Sequence, residues 1–535
     1  MDGLAFTTAS TPAADNPARA DIACFAGYVA RRHPRATSES EAAAFARLPA
    51  SLRAWFVEHD WAPGRHRRSA GDLAELSDIP VPIESWDAFD ALFAWDRRPV
   101  DGAGRTGDTN LGAAVRSFFA RGGRKCYVIR LGDPWPVMAP SIERRSHTHD
   151  ILPVFPPVSA TDRDSWHGIG HLFRLPDVSF LTVPDLPDIF AVTPRIRDPY
   201  TGPEAPEVFI ECAARTTPAS HRHLRGIPPP RCDADGFREW SRFLRQIGGF
   251  LQSSLLRQVQ FIGTVPLPLD SSAAAGDSDA AHHVRAAHEA QWTHVAAIQD
   301  RFIQLVYPWV RSRESALLPG NITPPDGWFT GLLADSTLTR GSWQSLIHAQ
   351  AGGIDAVEPV LDRATLALDL SPQARRVPLT LRDRITVIGP TGGGMRVLSD
   401  VTMDPTETCR PAAVHRLLIS ILRAARVVGE SSVFDNNGEA LWRRLRESLE
   451  GLLASLWADG ALHGDAAGEA YEVRCDRSTM TQADLDAGRA IVRVSFTASV
   501  PIVHITVVFA MSDGGEVTLA SSDATTLPEG QPQVA

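Results

Sequence analysis

The sequence predicts an α/β body followed by an α+β C-terminal domain, with mixed sheets, flanking helices and extended arms at both ends. Three observations indicate this class. Helical and strand-like segments alternate through most of the 535 residues, the last regular part joins long helices to two β-rich runs, and both ends are small, polar and proline-containing. A hydrophobic content of 44% and a charged content of 22% are typical of folded proteins with sizeable cores.

Changes in composition and periodicity divide the chain into six parts. In one central segment prolines recur and periodicity is mostly lost, apart from the strand-like piece VSFLTVPD. We expect this segment to be a surface insertion, because such composition is tolerated best at the surface. The predicted parts are a flexible N-terminal arm (1–20), the N-terminal part of the α/β core (21–135), a Pro-rich surface insertion (136–235), the remainder of the core (236–400), a C-terminal domain (401–511) and a flexible C-terminal arm (512–535).

The first elements after the arm are a strand and a helix. The segment ADIACFAGYVARR predicts a short buried strand. In ESWDAFDALFAW, the residues Trp86, Phe89 and Phe93 recur at helical spacing and predict one apolar helix face. Ser85 stands directly before them and is a suitable N-cap.

An α/β unit completes the N-terminal part of the core. A helix over 111–119 is followed by Gly122-Gly123 and by a strand over 126–131. This order of helix, glycine stop and apolar strand is typical of an α/β protein. Further along, regular structure returns with a helix in GFREWSRFLRQIGGFLQSSLL and a strand in VQFIGTVPLP, and another helix is predicted over 282–310.

The C-terminal domain is predicted to contain two long helices and a pair of strands. The helices lie near 412–428 and over Glu439–Ala458, and the strands lie in AIVRVSFTASVPIVHITVVFAM. In the second helix, leucines at helical spacing predict one continuous stripe that faces the core. These leucines are Leu441, Leu445, Leu449, Leu452 and Leu456.

The charged residues exclude several classes of function. The chain has 53 basic and 63 acidic residues, a net charge of −10, which gives no support to phosphate-backbone binding. Lys125 is the only lysine, and it stands at the start of an apparent buried strand. A P-loop, a pyridoxal Schiff base and a kinase strand lysine each need a lysine in another setting, so the sequence argues against all three.

No motif predicts a catalytic, cofactor or metal site. The dense glycine loop GPTGGGMR lacks the Lys-Ser/Thr of a phosphate-binding loop and is interpreted as a turn between strands. His167 and His171 stand four residues apart between glycines, and the spacing of His288 and His294 places them on nearly opposite sides of a helix. There is no GxSxG segment.

The cysteines and the ends of the chain predict a compartment. Six cysteines are scattered without a CxxC pair, and the first residues lack the character of a signal peptide. The longest apolar run near the end, VPIVHITVVFAM, is too short to span a bilayer. We therefore expect a protein that is made and kept in a reducing cytoplasm, with release inside a larger particle left open.

Several segments, taken in order, resemble those of contractile tail sheath proteins. The N-terminal ones are ADIACFAGYVARR, ESWDAFDALFAW and LGAAVRSFFARGGRKCYVIRLGD, and the middle ones are LVYPWV, TPPDGWFTGLLADSTLTRGSW and GGGMRVLSDVTM. The C-terminal ones are VFDNNGEALWRRLRESLEGLLASLWADGALHG and EAYEVRCDRSTMTQADLDAGRAIVRVSF, which look like the sheath C-terminal domain element by element. The resemblance covers most of the chain outside 136–235 and 346–380.

The resemblance implies a structural role without enzymatic activity or cofactor. Such a subunit polymerises helically around an inner tube and contracts to drive the tube through a target membrane. The implied partners are copies of the chain, an inner tube protein, and baseplate and cap proteins, with other sheath paralogues as further candidates. Neither nucleic acid nor direct membrane insertion is implied. Assembly is expected in the bacterial cytoplasm, and the product is a component of a phage tail-like particle.

Two alternatives stay open beside this interpretation. The N-terminal arm departs from the family pattern, which favours a minor or specialised sheath paralogue near the baseplate or cap. From another class, a hydrolase or metal enzyme could use the histidine-containing segments.

The resemblance also implies where contacts between proteins lie. In related sheaths the C-terminal domain is innermost, and soft arms suit the addition of a strand to a neighbour's sheet. Charged residues of the Glu439–Ala458 helix fall mostly off its leucine stripe, and we expect this face to meet the inner tube or a neighbour. The candidate contact residues are Arg443, Arg444, Arg446, Glu447 and Glu450.

Overall fold

A computed structural model of the chain shows two compact units. The large unit lies within 21–417, and the small unit lies within 418–525 together with residues 19 and 20. The unit boundary thus falls later than the predicted domain boundary at 401. The structure describes 19–61, 69–101, 104–153, 158–194, 227–253, 255–270, 279–371, 378–407, 409–430, 436–499 and, for the backbone, 503–511 and 517–526.

The strands and helices alternate along much of the chain. The strands are β1 (Ala23–Tyr28), β2 (Ala30–Arg31), β3 (Pro80–Ile83), β4 (Phe93–Ala94), β5 (Arg98–Pro99), β6 (Thr106–Gly107), β7 (Cys126–Gly132), β8 (Phe180–Thr182), β9 (Arg231–Cys232), β10 (Gln260–Thr264), β11 (Leu267–Pro268), β12 (Ile303–Tyr307), β13 (Trp309–Ser312), β14 (Ile354–Glu358), β15 (Thr386–Thr391), β16 (Gly394–Val397), β17 (Tyr471–Arg474), β18 (Ala490–Ala498), β19 (Val503–Met511) and β20 (Val517–Thr526). The helices are α1 (Glu41–Ala46), α2 (Ala50–Glu58), α3 (Ala70–Glu75), α4 (Trp86–Leu92), α5 (Asn110–Ala120), α6 (Ser141–Ser146), α7 (Thr148–Ile151), α8 (Leu186–Ile189), α9 (Ala234–Leu251), α10 (Ala280–Ala296), α11 (Asp326–Arg340), α12 (Arg363–Leu366), α13 (Leu381–Arg384), α14 (Ala412–Glu430), α15 (Glu439–Ala458), α16 (Ala467–Ala470) and α17 (Gln482–Asp486).

An eight-stranded mixed sheet organises the large unit, with strand order β16-β15-β12-β10-β8-β1-β7-β3. The six central strands run parallel to one another, and the edge strands β16 and β3 are antiparallel to them. Every residue of β1 is buried, as expected of a parallel strand covered on both faces. The predicted α/β class with mixed sheets is confirmed.

Side chains of β1 alternate between two hydrophobic cores. Cys24 and Tyr28 enter the first core, and Ala23 and Phe25 enter the second. The first core also receives the apolar side of α9, whereas α5 and α11 contribute to the second. Helices therefore cover both faces of the sheet, which is the layered arrangement of an α/β fold.

The predicted surface insertion over 136–235 contains a central strand. β8 lies between β1 and β10, and its Leu181 is fully buried. The expectation of a surface element is therefore wrong for β8 and for the buried residues beside it, such as Ile169 and Ile189. Residues 195–226 of this segment lie outside the described residues.

Two predicted helices are shorter in the structure. The helix predicted over 282–310 ends at Ala296, and Ile303–Tyr307 forms β12, paired in parallel with β10. The helix after Ser85 ends at Leu92, so that Phe93 begins β4 while its side chain stays buried. The Ser85 cap itself is confirmed, because its hydroxyl accepts the Ala88 amide at 3.2 Å.

The small unit contains a four-stranded sheet in the order β17-β18-β19-β20. The predicted strand pair is confirmed as β18 and β19, which are antiparallel. The prediction of a flexible arm over 512–535 is wrong for β20, because its backbone pairs beside β19. At the other end, residues 1–18 of the predicted arm lie outside the described residues, while Ala20 is buried and the Arg423 guanidinium donates to the Arg19 carbonyl.

The helix predicted over Glu439–Ala458 has those bounds in the structure and packs on β17 and β18. Its buried face differs from the predicted stripe, because Leu453 is fully buried whereas Leu452 is only half-buried, and Trp442 is buried as well. We expect Leu453→Ala to lower the free energy of unfolding of the small unit by about 2–5 kcal/mol. Leu452→Ala is the matched control and should cost clearly less in urea unfolding. Equal losses would contradict this assignment of the core face.

Candidate assembly surface

The five candidate contact residues of α15 lie off its buried stripe. Arg443, Arg444 and Glu447 are exposed, and Arg446 and Glu450 are half-buried. The opposite side of the helix carries the leucines that pack into the small unit. The structure therefore brings the five residues to one side of the helix, and their contact with another protein stays a prediction.

The charges on this side form two weak pairs along the helix. Arg443 Nε lies 3.9 Å from Glu447 Oε1, and Arg446 Nε lies 3.8 Å from Glu450 Oε1. Exposed pairs at this spacing contribute only about 0–1 kcal/mol to folding. The fold of α15 thus depends little on these two pairs.

The two units differ in how their sheet edges are protected. In the large unit, Pro80 and Pro82 occupy edge strand β3, where proline cannot donate a ladder hydrogen bond. The other edge, β16, is covered by the segment after α11, whose His348 amide donates to the Val397 carbonyl at 2.8 Å. In the small unit β17 and β20 are the outer strands, and edge strands of this kind can accept a strand from another chain.

The glycine-rich loop is a hairpin turn. Residues of GPTGGGMR end β15, turn, and begin β16, with Gly394 at a positive φ of 104°. The antiparallel pairing of Pro390 with Met395 leaves no helix N-terminus at the loop. The interpretation as a turn between strands is confirmed.

The histidines singled out in the sequence do not meet as a metal site. His167 Nδ1 lies 2.7 Å from Asp78 Oδ2, and His171 Nε2 lies 3.1 Å from Asp78 Oδ1, so both rings share one carboxylate. His288 and His294 lie on α10, as predicted. Within the part of the chain that the structure describes, no three histidine, cysteine or acidic side chains are grouped to hold a metal ion.

A buried ion triad fills the region next to the carboxyl ends of the parallel strands, where open α/β sheets usually bind ligands. Asp188 Oδ2 accepts Arg98 Nη2 at 2.5 Å, and Asp188 Oδ1 accepts Arg144 Nη1 at 2.8 Å. The remaining cavity, lined by Arg98, Asn110 and Trp309 among others, has a volume of about 10 Å³. That is room for about one water molecule, so the described residues offer a hydrolase no substrate pocket here.

Lys125 forms an ion pair within the large unit. Its Nζ lies 3.1 Å from Asp177 Oδ2 and 5.0 Å from the centre of the Tyr127 ring. Tyr127 donates to the same carboxylate oxygen at 3.0 Å. The only amine side chain of the protein is therefore held in an ion pair at the start of β7.

Among the described helices, none is long and apolar enough to cross a membrane.

The sequence matches no family model and no curated protein. Solved structures do match. A chain of the anti-feeding prophage (AFP) baseplate, solved with 6-fold symmetry, is 17% identical, with a TM-score of 0.51 over 93% of this chain and 95% of that chain. A chain of the AFP baseplate in the contracted state is 16% identical, with a TM-score of 0.51 over 93% and 94%. A chain of the contracted AFP helical sheath is 17% identical, with a TM-score of 0.49 over 93% and 95%.

The two alignments with a TM-score of 0.51 decide the architecture. The chain has the fold of these AFP chains. At 93% coverage the shared fold extends over both units, including the sheet of the large unit and α15 with its sheet in the small unit. In the large unit the guanidinium of Arg116 lies 5.5 Å from the ring centres of both Trp86 and Trp95. The sequence does not predict this cluster, because its three members are distant along the chain and meet only in the fold.

Proposed function

We propose that the chain is a structural subunit of a contractile tail sheath, which polymerises helically around an inner tube and contracts to drive the tube through a target membrane. The observation that carries the proposal is the alignment of 93% of the chain with a chain of the AFP baseplate at a TM-score of 0.51. The fold is shared at only 17% identity, as expected when architecture is kept while surface residues change.

A sheath subunit acts through contacts between copies and needs no ligand pocket. Identical subunits that join through two different surfaces, without closing into a ring, build an open helical filament. The function then depends on contacts between copies. The ion triad of Arg98, Arg144 and Asp188 occupies the region where open α/β sheets usually bind ligands, so this region of the large unit is filled by side chains.

We propose that the arms over 1–20 and 512–535 link neighbouring copies by β-augmentation. An extended segment that adds to a neighbour's sheet edge keeps two subunits connected while their bodies rotate. In the structure β20 lies beside β19 of its own chain. Linkage through this strand therefore requires that β20 leave its own sheet and pair with the same position of a neighbour.

The proposed partners follow from this role. They are copies of the chain, an inner tube protein, and baseplate and cap proteins, with sheath paralogues as further candidates. Assembly takes place in the bacterial cytoplasm, and the subunit then belongs to a phage tail-like particle that acts outside the producing cell. No cofactor or catalytic residue is required, because the extended lattice stores the energy that contraction releases.

A second candidate is a specialised sheath protein next to the baseplate. Both chains that align at a TM-score of 0.51 come from baseplate structures, and this observation favours the second candidate. The copy number separates the two roles. A main sheath protein should match the tube protein in molar amount within a purified particle, whereas a specialised one should be present in only one or two rings.

The proposal is tested by expressing the full chain alone and together with the tube protein of its particle. Ultracentrifugation and negative-stain microscopy should show cylinders or tubes that contain this chain. A protein that stays monomeric under both conditions would contradict the proposal.

The charged side of α15 provides a separate prediction about the tube. We expect the double variant Arg443→Glu, Arg444→Glu to keep the wild-type melting temperature, because exposed charges contribute little to folding. Co-sedimentation with tube protein should fall, and most clearly at low salt, where electrostatic contacts are least screened. The exposed Arg285 of α10, changed to glutamate, is the control. Unchanged co-sedimentation at all salt concentrations would remove this side of α15 from the tube contact.

A further inference from the structure

Arg116 of α5 is a half-buried cation that lies between two indole rings. Its guanidinium carbon is 5.5 Å from the ring centre of Trp86 and 5.5 Å from that of Trp95. The two rings meet edge to face, with centres 5.0 Å apart and planes at 70°. Their faces attract the cation and cover it, while the N–H donors in the guanidinium plane stay free to bind an anion.

The rings are held in place by their surroundings. Trp95 Nε1 donates to Asp90 Oδ1 at 2.7 Å, and the Trp95 carbonyl accepts the Thr109 amide at 2.8 Å. Gly112 lets Trp95 approach α5 closely, since a Cβ atom at this position would lie 2.5 Å from Trp95 Cβ. The cation site is therefore formed before any partner arrives, and a preorganised arginine loses less entropy when it pairs.

Arg116 has no anionic partner among the residues that the structure describes. No described residue makes a hydrogen bond or ion pair with it, and the nearby carboxylates of Asp90 and Asp96 are taken by Arg32 at 2.5 and 3.1 Å. Asp108 interacts electrostatically with Arg116. Burial raises the pKa of the Asp108 carboxyl to about 7, and the positive charge of Arg116 opposes that rise. It makes no ion pair with Arg116, so the guanidinium donors stay available.

We propose that Arg116, held between Trp86 and Trp95, binds an aspartate or glutamate side chain of a second copy of this chain. The inference rests on the proposed function, in which copies of the chain surround one another. Tryptophan and arginine are the residues most enriched at the energetic centres of protein interfaces. A planar guanidinium with free donors selects a carboxylate, which it binds with two parallel hydrogen bonds.

The charge of the chain favours a second copy as the partner. With 63 acidic and 53 basic residues, each copy carries a surplus of ten carboxylates, from which a neighbour can supply the partner. The contact would be heterologous, because the cluster on one copy meets a different surface on the next. Contacts of this kind build open helical assemblies.

The scarcity of lysine allows a direct test with a zero-length carbodiimide, which joins an amine to a carboxylate that it touches. Arg116→Lys in the full-length protein places a second lysine in the chain at the proposed contact. The Lys125–Asp177 pair, 3.1 Å apart, is an internal control that should link within one chain. Arg285→Lys is the matched control, because Arg285 is 81% exposed and pairs with Glu289 of its own helix.

Carbodiimide should convert Arg116→Lys into covalent dimers and larger species, and mass spectrometry should find the introduced lysine joined to an aspartate or glutamate of another copy. Arg285→Lys and the wild type should give no covalent links between copies after the same treatment. Links only to Asp108 or other residues of the same copy, links only to a different protein, or no links would each overturn the proposal.

Assembly gives an independent readout. We expect Arg116→Gln to raise the concentration needed for polymerisation about tenfold or more, with Arg285→Gln unchanged. An unchanged concentration for Arg116→Gln would overturn the inference while the proposed function stands. If the wild type forms no polymer, the proposed function fails, and cross-linking between copies in concentrated solution still decides the inference.

Discussion

Replacing Asp188 by asparagine is expected to destabilise the large unit by about 3–5 kcal/mol, because it leaves two buried guanidinium groups without a counter-charge. Arg98, Arg144 and Asp188 are each at most 4% exposed at their side chains. Burial alone would raise the pKa of Asp188, but Arg98 and Arg144 hold it below the usual range. The carboxylate also accepts Trp135 Nε1 at 3.1 Å, so the change affects several segments at once.

The control for this prediction is the ion pair of Arg145, the residue that follows Arg144 on α6. Arg145 pairs with Glu239 at 3.1 Å, and both side chains are partly exposed. Glu239→Gln should change stability by less than about 1 kcal/mol. Urea unfolding followed by tryptophan fluorescence measures both variants. If Asp188→Asn unfolds at the same urea concentration as the control, the triad does not hold the large unit together.

Asp326→Asn is expected to stabilise the protein above neutral pH and to have little effect at pH 4. Asp326 begins α11 with its side chain fully buried, and Oδ1 accepts the Gly327 amide at 2.7 Å. Burial raises the pKa of Asp326 from 3.8 to about 7; hydrogen bonding from the Gly327 amide opposes the rise, and the charge of Asp185 adds to it. The pKa of Asp185 is itself raised to about 6 by burial.

The direction of the pH dependence follows from proton binding. Between pH 4 and 7 the folded protein keeps a proton on Asp326 that the unfolded chain has released, so stability falls as the pH rises through this range. A pKa difference of this size corresponds to a loss of up to about 4 kcal/mol, which is complete above pH 7. Asparagine has no proton to lose and avoids this loss.

Melting temperatures of the wild type and Asp326→Asn from pH 4 to 8 measure the effect. The two curves should separate as the pH rises, with the variant higher at pH 8. Asp150→Asn is the control, because this carboxylate is 46% exposed. Parallel curves for the wild type and Asp326→Asn would show that Asp326 is not buried in the protonated form.

The parts of the fold that the sequence predicts best are those with strong local patterns. The 20 residues of α15 and the Ser85 cap of α4 are specified by apolar spacing and by one side-chain hydrogen bond. β12 was predicted as helix because the apolar run IQLVY fits a buried helix as well as a buried strand. Its parallel pairing with β10 decides between the two, and pairing cannot be inferred from local spacing.

Other features depend on contacts between distant segments. β8 has three residues among prolines, and its place in the sheet comes from β1 and β10, which are far away along the chain. The choice of Leu453 over Leu452 for the core depends on which side of α15 packs on β17 and β18. The Arg116 cluster likewise joins α5 to two tryptophans that the sequence separates by 30 and 21 positions.

The central claim is that copies of this chain form a helical sheath, and cryo-electron microscopy of the assembled protein tests it most directly. The account predicts hollow cylinders with helical order, in which every subunit has the sheath fold and surrounds a central channel wide enough for a tube. Closed rings that do not stack, amorphous aggregates, or a monomer that never assembles with its tube protein would contradict it.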